Sequence, residues 1–167
     1  MFKSIRMVIT DVDGVLTDGR ITYDVNGLET KSFHVRDGAA VHYLREAGIR
    51  TAIISGRHLD TVYVRAAELN IEDVYQGNVN KLEPYEAIKA RHGLRDEEIA
   101  FLGDDLTDLA VLKRVGLSAA VADAAREVLE MARYVTSRPG GRGAFRELAE
   151  AILKAQGHWQ RVVERYR

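Results

Sequence analysis

The stretch Met7-Val8-Ile9-Thr10-Asp11-Val12-Asp13-Gly14-Val15-Leu16-Thr17 decides how this chain is read. A short apolar run, the pattern of a buried parallel strand, ends in two aspartates one residue apart and then a glycine. In an open α/β sheet, ligands bind just beyond the carboxyl ends of the strands, so both acids face a crevice. One carboxylate can point at a substrate there while the next but one stands beside it. That suits a nucleophile with an acid/base partner, or a magnesium site. From these residues alone, a solvated loop with Asx turns is the commoner reading. An EF-hand calcium loop is a poor fit, because Val15 replaces the third oxygen ligand and Gly14 comes too early.

Three further segments supply partners. Thr51-Ala-Ile-Ile-Ser55-Gly56-Arg57 is a second apolar run, ending in a hydroxyl and a glycine. Lys81 sits just before a helical segment that Pro84 helps to start. Ala100-Phe-Leu-Gly103-Asp104-Asp105-Leu-Thr-Asp108 is a third strand end, this one carrying acids. Singly, Ser55 reads as a helix cap, Lys81 as a surface lysine, and Asp104, Asp105 and Asp108 as first-turn acids favoured by the helix dipole.

Length and composition bound the rest. The 167 residues make one domain, long enough to bury a core. A formal charge of −1 gives no overall field that suggests nucleic acid as a partner. No apolar run is long enough to span a membrane and the first residues lack a signal-peptide pattern, so a cytoplasmic enzyme is expected. The absence of cysteine excludes disulfides, thiolate metal sites and cysteine catalysis.

Apolar runs alternate with helical patterns along the whole chain. Strands are expected near 7–10, 51–54, 74–75, 99–102 and 117–121, and helices near 37–47, 59–69, 84–92, 106–115, 124–132 and 144–155. Asp37 is the expected N-cap of the first helix, with Gly48 just past its end. This order predicts an α/β fold with a Rossmann-like parallel sheet and right-handed crossovers. One segment, about residues 19–34, breaks the alternation and reads as a β-hairpin flap turning at Asn26-Gly27. Such a hairpin is only marginally stable alone and needs a packing partner. The basic tail, about 157–167, carries the only tryptophan and reads as either a frayed end or a lid over an anionic site.

Taken together and in this order, Asp-x-Asp, Ser, Lys and Gly-Asp-Asp-x-x-Asp resemble the haloacid dehalogenase superfamily of phosphohydrolases. Phe33-His34-Val35-Arg36-Asp37-Gly38, Tyr75-Gln-Gly77, Gly116-Leu-Ser-Ala-Ala-Val-Ala-Asp123 and Arg138-Pro-Gly-Gly-Arg142-Gly narrow the likeness. From about Ser4 to Gly157 the chain resembles the 3-deoxy-D-manno-octulosonate 8-phosphate (KDO 8-phosphate) phosphatases, a capless tetrameric branch serving lipopolysaccharide synthesis. The resemblance implies that Asp11 is the nucleophile, forming an aspartyl-phosphate, and that Asp13 protonates the leaving alkoxide and then activates water. Related ATPases carry threonine at the second position, so Asp13 favours a phosphatase over a pump. It implies Mg²⁺ held by Asp11, the backbone carbonyl of Asp13 and Asp104, with Asp105 or Asp108 behind them, and phosphate bound by Ser55, Gly56 and Lys81.

The same resemblance places sugar-acid contacts on His34, Val35, Arg36, Asp37, Gly38, His42, Arg57 and Arg65, besides Asp13 and Lys81. It also implies a homotetramer whose flaps meet in a central barrel, each subunit helping to close a neighbour's site. No cap domain fits in the short hairpin or between Ser55 and Lys81, and a capless site must stay open or be closed by a neighbour. Two rivals stand beside this reading. One is a phosphatase of a nine-carbon sugar acid (KDN or sialic acid 9-phosphate), against which Arg57 argues, since the KDN branch has glutamate after its Ser/Thr-Gly. The other is a non-catalytic tetramerisation module, against which the complete set Asp11, Asp13, Ser55, Lys81 and Asp104 argues.

Overall fold

The computed structural model describes residues 1–167. Its elements, in chain order, are β1 (Met7–Thr10), β2 (Thr22–Tyr23), β3 (Glu29–Thr30), α1 (Val35–Glu46), β4 (Arg50–Ile54), α2 (Asp60–Glu68), β5 (Asp73–Tyr75), α3 (Leu82–His92), β6 (Ile99–Gly103), α4 (Leu109–Leu112), β7 (Leu117–Ala120), α5 (Arg126–Met131), β8 (Tyr134–Val135), α6 (Ala144–Ala155) and α7 (Trp159–Glu164). Six strands form one sheet in the order β5-β4-β1-β6-β7-β8, every pairing parallel. β1, β6 and β7 are buried along their whole length, which requires cover on both faces and explains why they read as continuous apolar runs. The helices form two groups, α1 with α6 and α7, and α3 with α4 and α5. No helix is long and apolar enough to cross a membrane.

The expected parallel α/β sheet is present, with four local differences. First, β8 extends the edge beside β7, a sixth strand that its two residues were too short to announce. Second, the helix expected over 106–115 is a 3₁₀ turn at Leu106–Asp108 followed by only four α-helical residues. Asp108 turns its buried carboxylate back onto the amides of Asp104 (2.8 Å) and Asp105 (3.3 Å), which tightens that first turn. Third, α1 begins two residues earlier than expected. Its cap is His34, whose Nδ1 accepts the Arg36 N–H, so Asp37 lies inside the helix.

The fourth difference is the tail, which is not frayed. Trp159 stacks against the cations of Arg146 and Lys154 and meets Tyr43 edge-on, Val162 is buried, and Arg165 pairs with Glu46 at the end of α1. α1 starts at the carboxyl end of the sheet and Glu46 lies at its far end, so in this chain the tail rests opposite the edge where the acids sit.

The flap is the expected hairpin, pairing Thr22 with Thr30 and Tyr23 with Glu29. Asp24 and Leu28 close a three-residue loop in which Gly27 alone takes a left-handed conformation, φ 77°. The Asp24 carboxylate accepts the N–H groups of Asn26 and Leu28, so the turn holds itself without help from the domain.

Candidate active site

Three parallel neighbours, β4, β1 and β6, end side by side, which brings Ser55, Asp11 and Asp104 to one edge. Asp11 is 6 % exposed, and its Oδ1 accepts the Val12 N–H at 2.7 Å. Its Oδ2 lies 2.9 Å from the Lys81 ammonium, which in turn donates to Asp108 Oδ1 at 2.6 Å. Lys81 is 1 % exposed and its neighbour Asp108 fully buried. Burial alone disfavours the charged form of Lys81, but the charges of Asp11 and Asp108 overcome it and hold the ammonium above its ordinary value.

Carboxylate oxygens of Asp11, Asp104 and Asp108 lie within 4.8 Å of one another. One ammonium does not balance three acids. Burial, with Lys81 opposing, pushes the Asp11 carboxyl up to about 6. Burial and the charges of Asp11 and Asp108 push Asp104 up to about 8. Asp104 Oδ1 is buried with no hydrogen-bond partner. An oxygen-only, over-charged cluster with an orphaned carboxylate oxygen fits a hard divalent cation. Both oxygens of Asp108 are already committed, to Lys81 and to two amides, so it orients the cluster, while Asp11 and Asp104 retain the capacity to ligate. Asp105 is exposed, stands at the N-cap of the 3₁₀ turn in a capping box with Asp108, and adds its charge to those that raise Asp104.

The loop after β1 approaches this cluster closely. A Cβ on Gly14, whose φ is 84°, would lie 2.0 Å from Asp104 Oδ2. The Thr17 hydroxyl holds the loop by accepting the N–H groups of Gly14 (3.3 Å) and Gly19 (3.2 Å). Beneath it runs the glycine segment Arg138–Gly143. The Gly141 N–H donates to Val15 O at 2.9 Å, and a Cβ on Gly140 would stand 1.8 Å from Gly14 O. This segment is a buttress for the aspartate loop, a role its sequence did not disclose.

Asp13 and Arg57 meet through two residues that sequence reasoning missed. Glu29 and Lys31 stand two apart at the end of the flap, hence on one face. Lys31 pairs with Asp13 Oδ1 and lies 3.4 Å from Glu29. Glu29 takes both ends of the Arg57 guanidinium, at 3.0 and 2.6 Å, and Arg57 stands 3.9 Å from Asp13. Burial pushes the Glu29 carboxyl up, but the hydrogen bonds from Arg57 and the charge of Lys31 win and hold it below its usual range. Two opposite charges at i and i+2 in a hairpin strand were the available signal.

The remaining residues form a separate group around the start of α1. His34 caps that helix. Asp37, 4 % exposed, accepts the Arg146 N–H, and Gly38 packs so tightly on Arg65 that an added Cβ would lie 2.5 Å from its Nη2. Arg65 covers the Phe33 ring at 5.8 Å. These residues border a cavity of about 10 Å³, room for no more than one water. Val35 and Arg36 are exposed, and His42, two turns along α1, is engaged with Arg45 and Glu46. Within one chain, none of this group bonds to the Asp11 cluster.

A family model described as haloacid dehalogenase-like hydrolase matches residues 63–145. The chain is similar to the 3-deoxy-D-manno-octulosonate 8-phosphate phosphatase KdsC of Escherichia coli (strain K12), with 45 % identity over 155 residues, 93 % of this chain and 82 % of that protein. It is also similar to the crystal structure of a 3-deoxy-D-manno-octulosonate 8-phosphate phosphatase from Moraxella catarrhalis in complex with magnesium, phosphate and KDO. The TM-score is 0.97 at 37 % identity, over 99 % of this chain and 95 % of that one. The cobalt-bound phosphatase from Haemophilus influenzae gives a TM-score of 0.91 at 43 % identity, over 95 % and 92 %.

Proposed function

Because the chain belongs to the 3-deoxy-D-manno-octulosonate 8-phosphate phosphatases, a family of haloacid dehalogenase-like hydrolases, we propose that it hydrolyses KDO 8-phosphate to KDO and phosphate. The observation that carries the proposal is the pairing of buried Asp11 with Lys81 beside Asp104 and Asp108. Asp11 attacks phosphorus to form an aspartyl-phosphate as the ester P–O bond breaks and its electron pair leaves on the sugar oxygen. Asp13 gives that oxygen a proton, then takes one from the water that hydrolyses the acyl phosphate. Lys81, fixed by Asp108, keeps Asp11 in place and offsets part of the charge that a phosphate brings. Ser55, Gly56 and Lys81 donate to the phosphate oxygens.

Magnesium, which the relative from Moraxella catarrhalis holds, would sit on Asp11, the Asp13 carbonyl and Asp104, where it would supply charge neutralisation. The chain works as a single capless domain: β1 leads to α1 through the hairpin alone, and only α2 and β5 lie between β4 and Lys81. The assembly is a homotetramer in which the flaps meet. Support comes from the exposed Ile21, Tyr23, Val25 and Leu28 on a hairpin too small to stand alone. In that arrangement His34, Val35, Arg36, Asp37, Gly38, His42 and Arg65 serve the sugar acid of a neighbouring site, while Arg57 serves it within its own. The setting is the cytoplasm, in keeping with a chain free of cysteine and of any helix fit to cross a membrane.

Phosphate release, measured over a panel of sugar-acid phosphates with and without Mg²⁺ and EDTA, tests the proposal. KDO 8-phosphate should be the best substrate, with turnover stopped by chelation and restored by Mg²⁺. A clear preference for a nine-carbon 9-phosphate would replace the substrate assignment, and full activity in chelator would remove the metal. Light scattering should report a tetramer. A fully active monomer would reject the shared sites.

A further inference from the structure

The hairpin is exposed from Ile21 to Leu28, yet the Lys31 side chain just beyond it is 2 % exposed, and that of Glu29 is 11 % exposed. A lysine is buried to this extent only when its charge is matched. Its partners are Asp13 and Glu29, and Glu29 is in turn clamped by Arg57. The four side chains alternate in sign, carboxylate to ammonium to carboxylate to guanidinium, and sum to zero with Asp13 ionised; Lys31 holds Oδ1 of Asp13, which leaves Oδ2 to carry the proton that is donated. Asp13 sits on the catalytic loop, Arg57 just past β4, and the two middle members on the flap, so the chain of charges is also the seam that closes the flap onto the domain. Asp13 has no other side-chain hydrogen bond to fix the direction of its carboxylate.

We propose that Lys31 is a positioning residue for the reaction: it anchors the Asp13 carboxyl group in the pose from which its proton reaches the departing oxygen. As the bond between phosphorus and that oxygen breaks, Asp11 closes the new P–O bond and the proton passes from Asp13 to the leaving group. Lys31 makes no bond in the step and acts only through Asp13. Glu29 keeps Lys31 on Asp13 rather than letting it swing toward an incoming phosphate dianion. The inference rests on the reading of Asp13 as the acid, but not on which sugar acid is the substrate.

The test uses aryl phosphates graded from p-nitrophenyl phosphate, whose leaving group needs little protonation, to phenyl phosphate, whose leaving group needs far more. None carries a sugar carboxylate, so a wrong choice of sugar leaves the result untouched. The parameter is kcat/KM, which stops at the first irreversible step and so isolates proton donation from the later attack of water. Lys31→Met should lower kcat/KM for phenyl phosphate by roughly ten- to a hundredfold, part of the 10² to 10⁴ that a positioned acid supplies. The loss on p-nitrophenyl phosphate should stay within about threefold, and Lys31→Arg should restore most of the phenyl phosphate rate. In an Asp13→Asn background, Lys31→Met should add no further dependence on the leaving group. Thermal melting accompanies each variant, and Lys31→Gln takes the place of the methionine variant if the latter does not fold. Equal losses across the series would assign Lys31 to phosphate binding or to the fold, and no loss would leave it without a role; either result overturns the proposal.

Discussion

Asp37, inside α1, accepts the backbone N–H of Arg146 at 2.8 Å across 109 residues of sequence. α6 begins after Gly143, which has no side chain to cap it. Asp37 therefore caps α6 from another helix, and joins at their amino ends two elements that also pack along their lengths. The arrangement has an electrostatic cost: burial raises the Asp37 carboxyl above its ordinary 3.8, despite the Arg146 amide and the His34 and Arg146 charges. Its Oδ2 has no partner.

This fixes a pH signature. A raised carboxyl favours the folded state most below the ordinary value of 3.8, and that contribution is lost as pH climbs through the raised one. Asp37→Asn keeps an acceptor for Arg146 without the charge. Relative to wild type it should gain stability as pH rises from the acid range toward neutrality. Relative to the asparagine variant, Asp37→Ala should lose about 1 kcal/mol of capping at every pH. Thermal melts across pH check both; a pH-independent difference between wild type and the asparagine variant would refute the electrostatic account.

Asp11→Asn should retain the fold and lose turnover, because it keeps the shape and the Val12 hydrogen bond while removing the nucleophile. The buried carboxyl is already strained toward neutrality, at about 6, so the melting temperature should not fall. Turnover within about tenfold of wild type, a loss of only ~1.4 kcal/mol in barrier, would exclude a covalent intermediate on Asp11.

Arg57 is gripped bidentately by Glu29 at the mouth of the site, with two-fifths of its side chain still exposed. If it meets the sugar-acid end of the substrate, Arg57→Ala should cost on the order of 1.5–3 kcal/mol, or tenfold to a hundredfold in kcat/KM for KDO 8-phosphate. p-Nitrophenyl phosphate should be affected much less. Equal losses on both would assign Arg57 to the phosphate or to anchoring the flap.

Gly140→Ala should displace the aspartate loop, since the added methyl would stand 1.8 Å from Gly14 O. Overpacking of this kind costs about 1–3 kcal/mol, and here it should reduce kcat as well as stability. Gly93→Ala, at the end of α3, whose added Cβ would meet nothing within 4 Å, is the control: it strains a left-handed turn but should leave kcat per folded molecule unchanged. Melting curves and kinetics on both variants separate loop displacement from general weakening.

Local pattern alone determined five of the six strands of the sheet and the edge at which the site gathers. β1 and β6 are buried along their whole length and β4 over its last three residues, so their ends read as apolar runs, and in a parallel sheet the residues that follow them must share one edge. Spacing therefore put Asp11, Ser55 and Asp104 at one edge, whereas Lys81 read singly as a surface lysine and joined them only through the order of the motifs and the family resemblance. What depended on contacts distant in sequence was not legible in that pattern. Asp37 looked like a cap for its own helix and caps another, because the free amides of α6 lie beside it only after α1 and α6 have packed. The helix after Asp105 shortens because Asp108 is drawn back onto Lys81 and two amides. The tail docks because Arg146 and Lys154 lie on one face of α6, where Trp159 can cover both. Lys31 and Glu29 passed for ordinary hairpin charges until the flap closed over Asp13 and Arg57, since strand periodicity tells which residues share a face but not what that face will meet.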